Sequence, residues 1–296
     1  MKYNWAVANN SRKIDNDLAY PSLGICMIAT NSYIKKWFKV ASDLEKISLE
    51  KLSEATIHLF TDNASLAQGW ALDNLSSIKL KVYDIQSWGW PEATLLRYKF
   101  ITEQSHKFNE DLLMYLDCDM RVLGDFSKKL YIDRWTSGIA LVQHPGFYRN
   151  KGLQGIVDFF YNPRLVLSLI SKIKSGAKGY GTWETNKLST AFVPRSLRKN
   201  YFHGAVWFGR RIEFLKMCEK LALNVNSDLE NNYTAIWHDE SHLNNYAAFN
   251  AVEKLNPEFS GVPSYKNLRK YEFLIISEEK KFGEGRTPTD LSKTHV

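Results

Sequence analysis

At 296 residues, 44% of them hydrophobic and 14% aromatic, the chain is long enough to bury one large α/β core. Its 39 basic against 32 acidic residues give a formal charge of +7, which suits an anionic partner such as a phosphate, but no basic stretch interleaved with aromatics runs along one helix, so nucleic acid is not expected. The opening MKYNWAVANNSRK has no apolar core of a signal peptide, no run reaches transmembrane length, and Cys26, Cys118 and Cys218 lie far apart, so the expectation is a soluble cytoplasmic protein with reduced thiols.

Taken in order, Gly24 to Thr30 (GICMIAT) reads as a buried strand, with Asn31 and Ser32 placed to cap a helix starting near Tyr33. Apolar residues recur at helical spacing from Ile34 to Leu44. A strand running into a helix opens many nucleotide-binding units, but no glycine-rich phosphate loop is present, so the turn from Thr30 to Ile34 would hold a base and ribose instead. Ala55 to Thr61 and Ile78 to Tyr83 read as further strands. A helix beginning near Pro91 places Arg97 on the same stripe as Ala93, Leu96, Phe100 and Ile101. A guanidinium on a buried face needs an anionic partner, either Asp117/Asp119 or a ligand.

Leu112 to Leu116 is an apolar run expected in a strand buried on both faces of a parallel sheet, and it ends in Asp117 and Asp119. At the carboxyl edge of such a sheet two carboxylates either chelate a hard divalent cation or form a capped, solvated turn. Ile139 to Gln143 reads as another strand, leading into His144–Tyr148 (HPGFY). A long connection from Arg149 to Trp183 carries a helical stretch, Leu165 to Lys174. Tyr201 to Gly209 (YFHGAVWFG) is a strand with small residues where bulk is usual, which implies close approach to its backbone. Trp237 to Tyr246 (WHDESHLNNY) then gathers His, Asp, Glu, Ser and Asn at a helix start. His238 and His242 are one turn apart, but the zinc-protease spacing His-Glu-x-x-His is not met.

Together YLDCDM, HPGFY, YFHGA and WHDESHLNNY, in this order, resemble glycosyltransferase family six, the group of histo-blood-group and α-1,3-galactosyl transferases, over about Leu23 to Arg286. The resemblance implies the α/β GT-A fold, with a central mostly parallel twisted sheet flanked by helices. It further implies a single catalytic domain over 1–296, with a nucleotide-sugar half at about 20–125, an acceptor half at about 126–286 and a loose tail over 283–296. Asp117 and Asp119 would bind Mn²⁺ (or Mg²⁺) bridging the diphosphate of a UDP-sugar. Ser32, Tyr33 and Ile34 match the uridine positions, with Ser in place of the family's aromatic residue. Arg97 and Glu240 match the catalytic residues, Glu240 as nucleophile or stabiliser of the oxocarbenium-like centre. Asp239 matches a donor contact, and His203, Gly204 and Ala205 match the triplet that selects the donor, its Ala resembling the galactose-using members. Lys280 and Arg286 match the pair that closes over the diphosphate, and His144, Trp237 and His238 match acceptor positions.

The animal members carry an N-terminal membrane anchor, so the expectation is a shorter microbial or viral type, cytoplasmic, with peripheral membrane contact open. The implied activity is retaining, metal-dependent transfer of galactose or N-acetylgalactosamine from a UDP-sugar to a galactose-containing glycan in α-1,3 linkage. The alternatives are a carbohydrate- or UDP-sugar-binding protein of the same fold without turnover, and a nucleotidyltransferase.

Overall fold

The structure is a computed structural model, and it describes residues 20–88, 91–150, 169, 170, 172, 178–263 and 271–278. The positions Lys280 and Arg286, the tail 283–296 and most of the helical stretch Leu165 to Lys174 lie outside the described residues. The described residues hold the strands β1 (Leu23–Ile28), β2 (Ala55–Thr61), β3 (Lys79–Asp84), β4 (Leu112–Leu116), β5 (Met120–Val122), β6 (Ile139–Gln143), β7 (Phe202–Arg210), β8 (Glu253–Leu255) and β9 (Ile275–Ser277). Six described helices are α1 (Ile34–Lys46), α2 (Ala64–Asn74), α3 (Glu92–Leu95), α4 (Arg97–Glu103), α5 (Arg211–Glu230) and α6 (His238–Phe249).

Seven strands form one sheet in the order β3-β2-β1-β4-β7-β6-β8, and β5 pairs with β9 in a separate ribbon. β1, β2, β3 and β4 pair in parallel, β7 is antiparallel to both β4 and β6, and β8 is parallel to β6. Thus β7 alone runs against the rest, and its amino end lies at the edge where the other strands have their carboxyl ends. That reversal brings the start of YFHGA beside the end of YLDCDM, with Leu116 opposite Val206 and Gln143 opposite Phe202.

Side chains alternate across the sheet with the strand period of two. Leu23, Ile25 and Met27 of β1 and Leu112, Met114 and Leu116 of β4 pack on one face with Trp37, Val40, Ala41 and Leu44 of α1 and Ala67 of α2. Cys26, Leu113 and Tyr115 point to the other face, against Tyr98 and Ile101 of α4 and Phe214, Met217, Cys218 and Leu221 of α5. The burial of β4 on both faces, expected from its apolar run, is therefore present, and all three cysteines are buried free thiols.

Two local expectations change and a third is met. Asn31 and Ser32 do not cap α1; a 3-10 turn, Asn31–Tyr33, precedes the helix, and Asn31 sits at φ 55° with its N–H 3.1 Å from both Asp62 carboxylate oxygens. The helix after Pro91 breaks at Leu96, because Arg97 Nε donates to Thr94 O at 3.1 Å, the carbonyl an unbroken helix would offer to Tyr98. The small residues of β7 are crowded from within the chain: a Cβ on Gly209 would lie 2.8 Å from Ile139 Cδ1, and one on Gly204 would lie 3.2 Å from Asp239 Oδ2. Among the described residues no helix is long and apolar enough to cross a membrane.

Candidate active site

The shared sheet edge opens into a cleft of about 440 Å³. Of the residues singled out from the sequence, it gathers Ser32 and Tyr33 from the turn before α1, Arg97 from α4, Asp117 and Asp119 after β4, and His144 after β6. His203, Gly204 and Ala205 of β7 and Trp237, His238, Asp239 and Glu240 at the start of α6 complete the wall. Ile34 is packed in the core and is not on the cleft wall.

Arg97 is the hub. It is 3% exposed; its Nη1 lies 3.0 Å from Asp239 Oδ2 and donates to Gly204 O at 2.9 Å, its Nη2 lies 3.4 Å from Asp117 Oδ1, and the guanidinium stacks 4.4 Å above the Tyr115 ring. The close carboxylate is thus Asp239, from a different motif, with Asp117 second. Burial alone would lower the Arg97 pKa, but Asp239, Tyr115 and Asp117 raise it, so the cation persists. Burial in turn lifts Asp239 to about 6 against the pull of Arg97.

Asp117 N–H donates to Ala205 O at 2.9 Å, so its backbone continues the β4–β7 ladder, and Tyr115 Oη donates to its Oδ1 at 2.9 Å. Asp119 is 7% exposed and is held from another side, its carbonyl accepting Glu278 N–H at 2.9 Å. Two carboxylates on one cleft wall form an oxygen donor set that fits a hard cation such as Mn²⁺ or Mg²⁺.

His144, His203 and Glu240 bring potential ligand atoms within 4.8 Å of one another. The trio is nevertheless a poor metal cage. Gly146 N–H donates to His144 Nδ1 at 3.1 Å, so the neutral ring carries its proton on Nε2, and that nitrogen is a donor. Burial and the neighbouring His203 push His144 well below the usual histidine range, which keeps it neutral. Glu240 Oε2 accepts Gly204 N–H at 2.7 Å, and burial raises Glu240 to about 7 despite that bond.

The start of α6 is held by groups the sequence reading did not single out. His238 has φ 48°, an unusual conformation for a side chain with a Cβ. Buried Glu184 accepts Ile236 N–H at 2.9 Å, Ser241 Oγ accepts Trp237 N–H at 2.9 Å, and Tyr98 Oη donates to Asp239 O at 3.0 Å. Asn244 accepts Phe202 N–H at 2.8 Å and donates to both Phe202 O and Glu240 O at 2.9 Å, docking α6 on the end of β7. Asn244 was visible in WHDESHLNNY; Glu184 stands in a stretch with no pattern to mark it.

An α/β sheet with an acidic cleft at its carboxyl edge, reached also by one reversed strand, defines the GT-A class of fold. The family model for glycosyltransferase family 6 matches residues 165–281 of this chain. It is similar to histo-blood group ABO system transferase 1 of Rattus norvegicus, 23% identical over 262 residues, covering 87% of this chain and 64% of the relative. It also matches globoside alpha-1,3-N-acetylgalactosaminyltransferase 1 of Homo sapiens, 28% identical over 213 residues, 68% of this chain and 50% of that protein. O-antigen biosynthesis glycosyltransferase WbnI of Escherichia coli is 20% identical over 205 residues, 69% of this chain and 75% of the relative. The chain spans less than two thirds of the length of the two mammalian relatives.

Proposed function

We propose that the chain is a hexosyltransferase that moves galactose, or N-acetylgalactosamine, from a UDP-sugar to a galactose-containing glycan, with retention and in α-1,3 linkage. The observation that carries this reading is Arg97, which ties Asp117, Gly204 beside Glu240, and Asp239 into one cleft. Asp117 and Asp119 are the residues that would hold Mn²⁺ or Mg²⁺, and the ion would supply positive charge to the departing diphosphate.

The chain's own groups are arranged for the rest. Ser32 and Tyr33 offer the wall for uridine, with Ile34 behind them in the core, and the hexose lies between the Asp117 end and Glu240, along His203, Gly204 and Ala205. Arg97, fixed by two carboxylates and a carbonyl, is a preorganised cation beside the place where diphosphate charge grows. Glu240, its Oε2 pinned by the Gly204 amide, presents a carboxylate to the anomeric carbon as it gains positive charge. His144 Nε2–H, Trp237 and His238 face the acceptor; Trp237, 41% exposed, offers a ring on which a sugar face can stack. The proposal carries cytoplasmic action with it, and Lys280 and Arg286 as further diphosphate contacts.

The test replaces Glu240 by Gln. Sugar transfer from UDP-galactose or UDP-N-acetylgalactosamine should fall by about 10²–10³-fold while UDP binding by calorimetry stays within a few fold. A wild-type protein that binds UDP-sugars but transfers none to any galactoside would identify a binder, and release of pyrophosphate in place of UDP a nucleotidyltransferase.

A further inference from the structure

Ser260 is completely buried, directly after the 3-10 turn Pro257–Phe259 that follows β8, and its Oγ lies 2.6 Å from His203 Nδ1. Its backbone is fixed: Ser260 N–H donates to Pro257 O at 2.9 Å, and Gly261 N–H to Ile275 O at 2.8 Å. The neighbouring Phe259 ring meets Phe208 of β7 edge to face at 6.0 Å. The hydroxyl is therefore presented to the imidazole from a rigid base that is itself packed on the strand carrying His203.

A buried hydroxyl left without a partner is costly, and among the described residues the His203 imidazole nitrogen is the group that the Ser260 hydroxyl meets. With Ser260 as the donor to Nδ1, His203 carries its proton on Nε2. This settles both the rotation of the ring and the sign of the group it offers. His203 lines the cleft with Gly204 and Ala205, along which the proposed donor hexose lies, and its ring centroid is 4.7 Å from that of His144. A ring held from behind meets each sugar substituent with one shape and one N–H. A ring free to turn would offer either nitrogen and yield its space.

We propose that Ser260 is a positioning residue for donor choice: through the Oγ to Nδ1 hydrogen bond it locks His203, and the locked ring discriminates between UDP-hexoses that differ at the substituents facing it. This rests on the UDP-sugar reading of the cleft.

The experiment compares kcat/KM for UDP-galactose and UDP-N-acetylgalactosamine in wild type, Ser260→Ala, His203→Ala and the double variant. One lost hydrogen bond predicts that the preference shown by wild type, in whichever direction, relaxes about threefold to tenfold in Ser260→Ala, with UDP affinity unchanged. His203→Ala should relax it as well, and Ser260→Ala should add nothing in that background. An unchanged ratio, or equal effects of Ser260→Ala with and without His203, overturns the proposal. Nitrogen NMR of the histidines in the wild-type protein gives a second reading independent of the variant's folding: Nε2–H at His203 is expected, and Nδ1–H overturns it. If wild type turned over no UDP-sugar, the functional reading would fall while the tautomer measurement still judged the hydrogen bond.

Discussion

Glu240 is a carboxylate in a place that penalises charge. Burial lifts it to about 7 even though the Gly204 amide favours the ionised form, and Asp239 beside it adds to the rise. Two consequences follow with opposite signs. The ionised form needed at the anomeric carbon becomes dominant only above that value, so kcat/KM should climb through pH 6–8 and level off above about 8, as a rate profile at saturating metal would show. For stability, the folded value lies above the ~4.3 of an unfolded glutamate, so ionisation favours unfolding. That cost is absent below about pH 4, grows between about 4 and 7, and is complete above. Glu240→Gln should therefore melt above wild type at pH 8, with the gap closing as pH falls to 4 in thermal scans. A gap that widens toward acid pH would mean that Glu240 is ionised throughout.

At the scale of elements, α6 is placed by Asn244, whose one amide reads both backbone groups of Phe202 and the carbonyl of Glu240. Asn244→Asp keeps the shape but removes both donors and sets an acceptor against two buried carbonyls; urea melts should show a loss of about 1–3 kcal/mol or more, with transfer falling alongside. The buried strands were legible in the sequence because unbroken apolar runs have few other uses: β2, β4 and β6 fall where ATIHLFT, LLMYL and IALVQ stand. α5 carries an equally readable signal, with Phe214, Met217, Cys218, Leu221, Ala222 and Val225 buried at helical spacing. The break at Leu96 was hidden, since it comes from the side chain of Arg97 taking a backbone carbonyl, and apolar spacing does not register such a bond. The site divides the same way. WHDESHLNNY and YLDCDM advertise themselves by packing reactive side chains into short stretches, whereas Tyr98, Glu184 and Ser260 reach the site by hydrogen bonds that span 141, 52 and 57 positions of chain.

Across the whole molecule the decisive feature is the lone reversed strand. With β7 antiparallel to β4, an oxygen donor set at the end of one strand meets the Gly204 amide and the Arg97 acceptor carbonyl at the start of the other. Among the described residues Arg97 pairs with Asp239 and Asp117 inside the cleft, and Asp117 and Asp119 bring two carboxylates to its lining. Transfer activity should accordingly collapse with excess chelator and return with Mn²⁺, Mg²⁺ serving less well or equally. Full activity after exhaustive chelation would remove the cation from the reading of Asp117 and Asp119.

Those two aspartates, one residue apart, are anchored to different bodies. Asp117 hangs from the seven-stranded sheet through Ala205, while Asp119 leads into β5, whose partner β9 comes from the far end of the described chain, and Glu278 N–H donates to the Asp119 carbonyl. The spacing between the two carboxylates is therefore a caliper with one jaw mounted on the C-terminal ribbon. Cutting the chain ahead of Ile275 should slacken the grip on an ion while the sheet itself still melts as one unit.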